Sequence, residues 1–123
     1  MPVLVVEDSS TIRLILCQYL KKMNLEVVEA ANGREALERL KEMAPPDLVL
    51  VDWNMPEMDG IDFIRAVRRL HIYDQLPLLM VTTNSESENV GIAMEAGANE
   101  YIQKPCTFEA LREKFDLLGL LKT

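Results

Sequence analysis

The stretch Asp47-Leu48-Val49-Leu50-Val51-Asp52-Trp53-Asn54-Met55-Pro56-Glu57-Met58-Asp59-Gly60 restricts the possible folds more than any other part of the chain. Its apolar run is too short for a helix and has no polar alternation. Pro45-Pro46 precedes it, and Asn, Pro, Asp and Gly follow. It therefore reads as a fully buried strand that empties into a loop. Asp52 stands at the strand's exit, and in open parallel sheets ligands and chemistry collect at the carboxyl ends of the strands.

The rest of the chain alternates around this strand. Pro2-Val3-Leu4-Val5-Val6 is a β-branched run ending in Glu7-Asp8, and Ser9-Ser10-Thr11 offers N-cap candidates for a first helix. Ile12, Ile15, Leu16, Tyr19, Leu20 and Met23 recur at a spacing of three and four, which leaves Arg13, Gln18, Lys21 and Lys22 for the opposite side. Leu25–Ala30 reads as a second, more alternating strand, and Asn32-Gly33-Arg34-Glu35 opens a helix that ends before Pro45-Pro46. Asp59-Gly60 begins a third helix whose Ile61, Ile64, Val67 and Arg68 stem face inward. Leu78-Leu79-Met80-Val81 is another buried run, and it delivers Thr82, Thr83 and Asn84 to the same edge as Asp8 and Asp52. Ser85-Glu86-Ser87-Glu88 has the spacing of a capping box, but the helix behind it is short of large apolar residues and should be weakly anchored. Glu100-Tyr101-Ile102-Gln103 is a fifth strand handing over Lys104-Pro105. The last helix carries Phe108, Leu111, Phe115 and Leu118 and stops near Gly119. Five strands alternating with five helices predict an α/β sheet of parallel strands, joined by right-handed crossovers and covered by helices on both faces.

Composition removes several functional classes. The 123 residues read as one domain, with neither a linker nor an effector domain. Twenty acidic against thirteen basic residues give a net charge of −7, and no Lys/Arg run exceeds two, which argues against a direct contact with nucleic acid. No apolar run approaches the roughly 20 residues of a membrane span, and no basic lead precedes the first apolar run, so a cytoplasmic chain is expected. Cys17 and Cys106 have neither metal-ligand nor disulfide spacing and read as reduced packing residues.

The strand ends deliver Glu7, Asp8, Asp52, Thr82 and Lys104 to one edge. Carboxylates crowded in this way repel: two unit charges about 5 Å apart cost roughly 3 kcal/mol at an effective dielectric near 20. A hard divalent ion that takes oxygen ligands and keeps several waters relieves that repulsion, which points to Mg2+, with Lys104 as a second cation.

Asp52-Trp53-Asn54-Met55-Pro56, taken with Glu7-Asp8, Thr82 and Lys104-Pro105, resembles the response-regulator receiver domain, and the resemblance spans the whole chain. It implies the flavodoxin-like strand order 2-1-3-4-5, which places Asp52 at the switch point. It further implies that Asp52 accepts a phosphoryl group as an acyl phosphate. Asp8, Asp52 and the backbone carbonyl of Asn54 would bind Mg2+, with Glu7 acting mainly through water. Thr82 and Lys104 would each engage a phosphoryl oxygen, and the Lys104–Pro105 peptide would be cis. Thr82 and Tyr101 occupy the family's switch positions, and Asn54 and Asn84 its sites for tuning the phosphoryl lifetime. The implied partners are a histidine kinase as phosphodonor and a downstream protein that reads the fourth helix, fifth strand and fifth helix. The implied agent is a monomeric switch, not an enzyme acting on other substrates. The chemotaxis branch of the family points to the flagellar motor switch as one output, although Ser87, Gln103 and Cys106 depart from its pattern.

Two other classes share parts of this constellation. A haloacid-dehalogenase-type hydrolase also forms an aspartyl phosphate, but it needs a general acid where this chain has Asn54. A flavin module would place a phosphate at Ser9-Ser10-Thr11, directly beside the repelling Glu7 and Asp8. The leucine-rich tail Phe115–Leu121 is expected to pack back onto the first helix, with a dimer contact as the alternative.

Overall fold

The computed structural model describes residues 2–82 and 87–120, apart from the side chains of residues 87–89. Thr83, Asn84, the Ser85-Glu86 half of the expected capping box and Leu121 lie outside the described residues, and so does the Ser87 side chain. The elements run β1 (Pro2–Val6), α1 (Ser10–Lys22), β2 (Glu26–Ala30), α2 (Gly33–Glu42), β3 (Leu48–Asp52), α3 (Gly60–Arg68), a 3₁₀ turn (His71–Tyr73), β4 (Leu78–Thr82), α4 (Ser87–Ala96), β5 (Glu100–Gln103) and α5 (Phe108–Leu117). All five strands are parallel in one sheet of order β2-β1-β3-β4-β5, as the resemblance implies.

Strand parity divides the core. Leu4, Val6, Val49, Val51, Leu78 and Met80 face α2, α3 and α4, while Val3, Val5, Leu48, Leu50, Leu79 and Val81 face α1 and α5. β3 is buried at all five positions, because it lies in the middle of the sheet with helices over both faces. β2 is an edge strand, and only Ala30 in it is fully buried.

Local chemistry sets the helix starts. Ser9, Asn32, Asp59 and Thr107 each accept a hydrogen bond from the backbone N–H three residues on, so α1, α2, α3 and α5 begin on a capped turn. The expected inward face of α1 needs one correction. Leu16, Cys17 and Leu20 are buried, but Ile15 is 39% exposed, since the helix turns it past the edge of the sheet. Phe63 in α3 is completely buried beside Ile61, Ile64 and Val67, and Tyr73 of the 3₁₀ turn is buried with its hydroxyl donating to Leu40 O. The Arg68 stem lies against Gly97. Its guanidinium donates to the carbonyls of Gly97 and Tyr73 and to Asn99 Oδ1, which fastens α3 to the turn between α4 and β5. Within α4 Ala93 is buried, whereas Ile92 and Met94 are each 42% exposed, in keeping with weak anchoring. In the tail, Leu118 and Leu120 pack against the α1–α5 side of the core while Leu117 is exposed.

Candidate functional site

The order of the strands brings the carboxyl ends of β1, β3 and β4 side by side, with Val6 opposite Val51 and Asp52 opposite Val81. Glu7, Asp52 and Thr82 are the buried polar residues at this edge. Oxygens of Glu7, Asp8 and Asp52 lie within 4.8 Å of one another, and Asp8 is the exposed member of the three. Lys104 reaches in from the loop after β5. Its Nζ is 2.9 Å from Glu7 Oε1 and 2.9 Å from Asp52 Oδ1, so a single ammonium bridges two of the three carboxylates. The backbone N–H of Lys104 donates to Thr82 O, which ties this loop to the end of β4, and the Lys104–Pro105 peptide is cis.

Burial and hydrogen bonding together set the protonation of Glu7 and Lys104. It raises the pKa of Glu7 to about 7, against the opposing hydrogen bonds from Lys104 and from the Ser9 N–H. For Lys104, burial alone would lower the pKa, but the hydrogen bonds to Glu7 and Asp52 outweigh it and hold the ammonium above its ordinary value. With all three carboxylates ionised, as cation binding requires, they and the one ammonium would leave a charge of −2. An all-oxygen donor set with that residual charge suits a hard divalent cation, so the residues present fit Mg2+.

The segment after Asp52 is folded back against the strand. Trp53 N donates to Val81 O and Gly60 N to Trp53 O, and a Cβ on Gly60 would collide with the Asp52 carbonyl oxygen. Trp53 packs against the α2–α4 side of the core, while Asn54 is exposed two residues beyond Asp52. Glu57 adopts a left-handed backbone (φ 67°), and its carboxylate accepts from Asn32 Nδ2 at the start of α2. Asp59 caps α3, in line with the turn chemistry of its Asp-Gly pair. Tyr101 is half-buried on β5, with Lys114 Nζ 5.4 Å from its ring centroid and ion-paired to the adjacent Glu100.

Glu7, Asp8, Asp52, Thr82 and Lys104 are all found at this edge of the sheet, while Thr83 and Asn84 lie outside the described residues. One residue assigned to the solvent side of α1 is not there: Arg13 is half-buried and donates to the Glu7 carbonyl oxygen at 2.7 Å. Its place four residues after the Ser9 cap, one helical turn above the loop, was the available signal.

Among the described residues no helix is long and apolar enough to cross a membrane. Residues 3–116 match the response regulator receiver domain. The chain is 41% identical over 119 residues to chemotaxis protein CheY1 of Helicobacter pylori, covering 96% of each. Among solved structures it is similar to the chemotaxis response regulator CheY4 of Vibrio cholerae, at a TM-score of 0.89 and 36% identity, covering 95% of this chain and 97% of that one. It is also similar to the receiver domain of a Pseudomonas aeruginosa sensor histidine kinase, at a TM-score of 0.86 and 25% identity, covering 96% and 97%. That domain holds a magnesium ion in its active-site cleft. A strand-terminal aspartate bridged by lysine to the first residue of an acidic pair, on a 2-1-3-4-5 sheet and matched over nearly its whole length, makes this chain a member of the response-regulator receiver family.

Proposed function

We propose that the chain is a stand-alone phosphorylation switch, acting as one receiver unit that takes a phosphoryl group on Asp52 from a histidine kinase. The observation that carries this is the single Lys104 ammonium held 2.9 Å from both Glu7 and Asp52, beside the exposed Asp8 carboxylate. The stand-alone reading is supported by a curated relative matched over 96% of its own length.

An Asp52 oxygen attacks the phosphorus of a phosphohistidine; the new O–P bond forms as the P–N bond breaks, and the imidazole leaves with the electron pair and takes up a proton. Asp8, Asp52 and the Asn54 carbonyl would hold Mg2+, with Glu7 reaching it through water, and the ion would neutralise charge on the transferring group. Lys104, already paired with Asp52, follows the negative charge onto a phosphoryl oxygen, and the Thr82 hydroxyl donates to another. Movement of Thr82 and Tyr101 then biases the surface formed by α4, β5 and α5, which a protein partner reads. The chemotaxis names of the curated relatives favour an output in chemotaxis, such as the flagellar motor switch. The chain catalyses only its own phosphoryl uptake and loss. The flavin alternative loses ground because Ser9 Oγ already accepts the Ile12 N–H as the cap of α1.

Intact mass after incubation with acetyl phosphate tests this reading. One phosphoryl adduct is expected with Mg2+, and none with a chelator or in Asp52→Asn. No adduct on the wild type, even when beryllofluoride is used as a stable mimic, overturns it, and so does an undiminished adduct on Asp52→Asn.

A further inference from the structure

The loop between β1 and α1 carries two of the three carboxylates, but they are held in different ways. Glu7 is fixed through its side chain, by Lys104 and by the Ser9 N–H. Asp8 is exposed, and no hydrogen bond among the described residues fixes its carboxylate. Its position beside Asp52 is therefore set by its backbone, and above all by the orientation of the Glu7–Asp8 peptide. The carbonyl oxygen of that peptide accepts Arg13 NH1 at 2.7 Å, a short charge-assisted bond. Arg13 is anchored in turn: its N–H donates to Ser9 O in the first turn of α1, and its Nε is 3.0 Å from Glu29 Oε1 on β2. The planar guanidinium thus bridges the β2 edge and the loop with two N–H donors held in a fixed fork.

The geometry points to Arg13 as a positioning residue of the cation site: by fixing the Glu7–Asp8 peptide it holds the Asp8 carboxylate where it converges with Asp52. This rests on the reading that the carboxylate cluster holds Mg2+. The sign of the effect separates positioning from simple charge. A guanidinium near a cation site opposes Mg2+ by repulsion, so deleting it tightens binding if charge is all it contributes, and loosens binding if it positions Asp8.

Calorimetric titration with Mg2+ at fixed ionic strength, with Trp53 fluorescence as a second signal, compares the wild type with Arg13→Ala, Arg13→Met and Arg39→Ala. Arg39 donates to Glu29 O on the same strand and to Glu35 Oε1 of α2, with no bond to the loop among the described residues, so its removal deletes a neighbouring charge and leaves the loop's own contacts in place. Both Arg13 variants are expected to bind Mg2+ about tenfold more weakly, the scale of a lost outer-shell partner, with a native near-ultraviolet circular dichroism spectrum in chelator. Arg39→Ala is expected to bind as tightly as the wild type or slightly more so. If the alanine variant does not fold, Arg13→Met retains the packing of the stem and answers the same question. Undiminished or tighter binding by folded Arg13→Met overturns the role of Arg13 alone. A wild type that binds no Mg2+ overturns the reading of the site, and this inference with it.

Discussion

Every polar atom of Glu7 is engaged: its N–H with Ala30 O, its carbonyl with Arg13, one carboxylate oxygen with Lys104 and the other with the Ser9 N–H. Burial nevertheless lifts its pKa from 4.5 to about 7, and that has a consequence for stability without metal. Between those two values the folded state holds a proton that the unfolded chain has released, so stability present below about pH 4.5 is lost as pH rises towards 7. In chelator, the wild type should therefore lose up to about 3 kcal/mol relative to Glu7→Gln over that interval. Urea unfolding at several pH values measures the difference, and a wild-type stability that stays flat or rises with pH relative to Glu7→Gln contradicts the account. Gly60 carries a second residue-scale prediction. A methyl group there meets backbone at Asp52 and Trp53, which has no rotamer through which to retreat, so Gly60→Ala should cost about 3 kcal/mol. A neutral urea midpoint would sink that argument. Glu7, Asp8, Asp52 and Lys104 were legible in the sequence because strand-terminal charges announce themselves after apolar runs. Gly60's close approach and Arg13's bond to a carbonyl were not, since both depend on how a connecting loop folds back between its own strand and helix.

The elements themselves were largely legible, and each miss has its own physical cause. Spacing of three and four along α3 picks out Ile61, Ile64 and Val67 but passes over Phe63. α3 is flanked by α2 and α4 as well as the sheet, so its buried face is wider than one stripe. The 3₁₀ turn escaped for a different reason: a three-residue element has no periodicity, and Tyr73 is drawn inward by a hydrogen bond to α2. Ile15 has the right spacing on a helix whose outer rim the sheet does not reach. It lines instead an apolar groove of about 380 Å³ with Ile12, Tyr19, Pro105 and Cys106. The surface proposed for a protein partner is built from these same elements. Tyr101 packs against the core on one side and faces Lys114 of α5 on the other, while among the described side chains of α4 Ala93 is the buried one. Tyr101→Ala should leave phosphoryl uptake within about twofold of wild type and weaken partner binding by about tenfold, given the weight of aromatic anchors at interfaces. Mass spectrometry and a binding assay with the phosphorylated protein check the two halves. Loss of uptake with the fold preserved would contradict this division of labour.

At the scale of the molecule, alternating runs predict parallel strands and helices on both faces, but they do not order the strands. Any sequence of right-handed crossovers satisfies the same pattern, and the order 2-1-3-4-5 came from the resemblance of the motifs. What the order does is collect Glu7, Asp52, Thr82 and Lys104 from four strands onto one edge, leaving the opposite edge to Pro2, Asp47 and Pro77 at the starts of β1, β3 and β4. Leu120, beyond α5, lines a hollow there with Pro45, Pro46 and Pro77. Both ends of the described chain therefore emerge far from Asp52, at the foot of the sheet. A fluorescent protein or a surface tether joined at either end would leave the acidic cleft facing open solvent, so the molecule is already laid out as a reporter whose handle and sensor point in opposite directions.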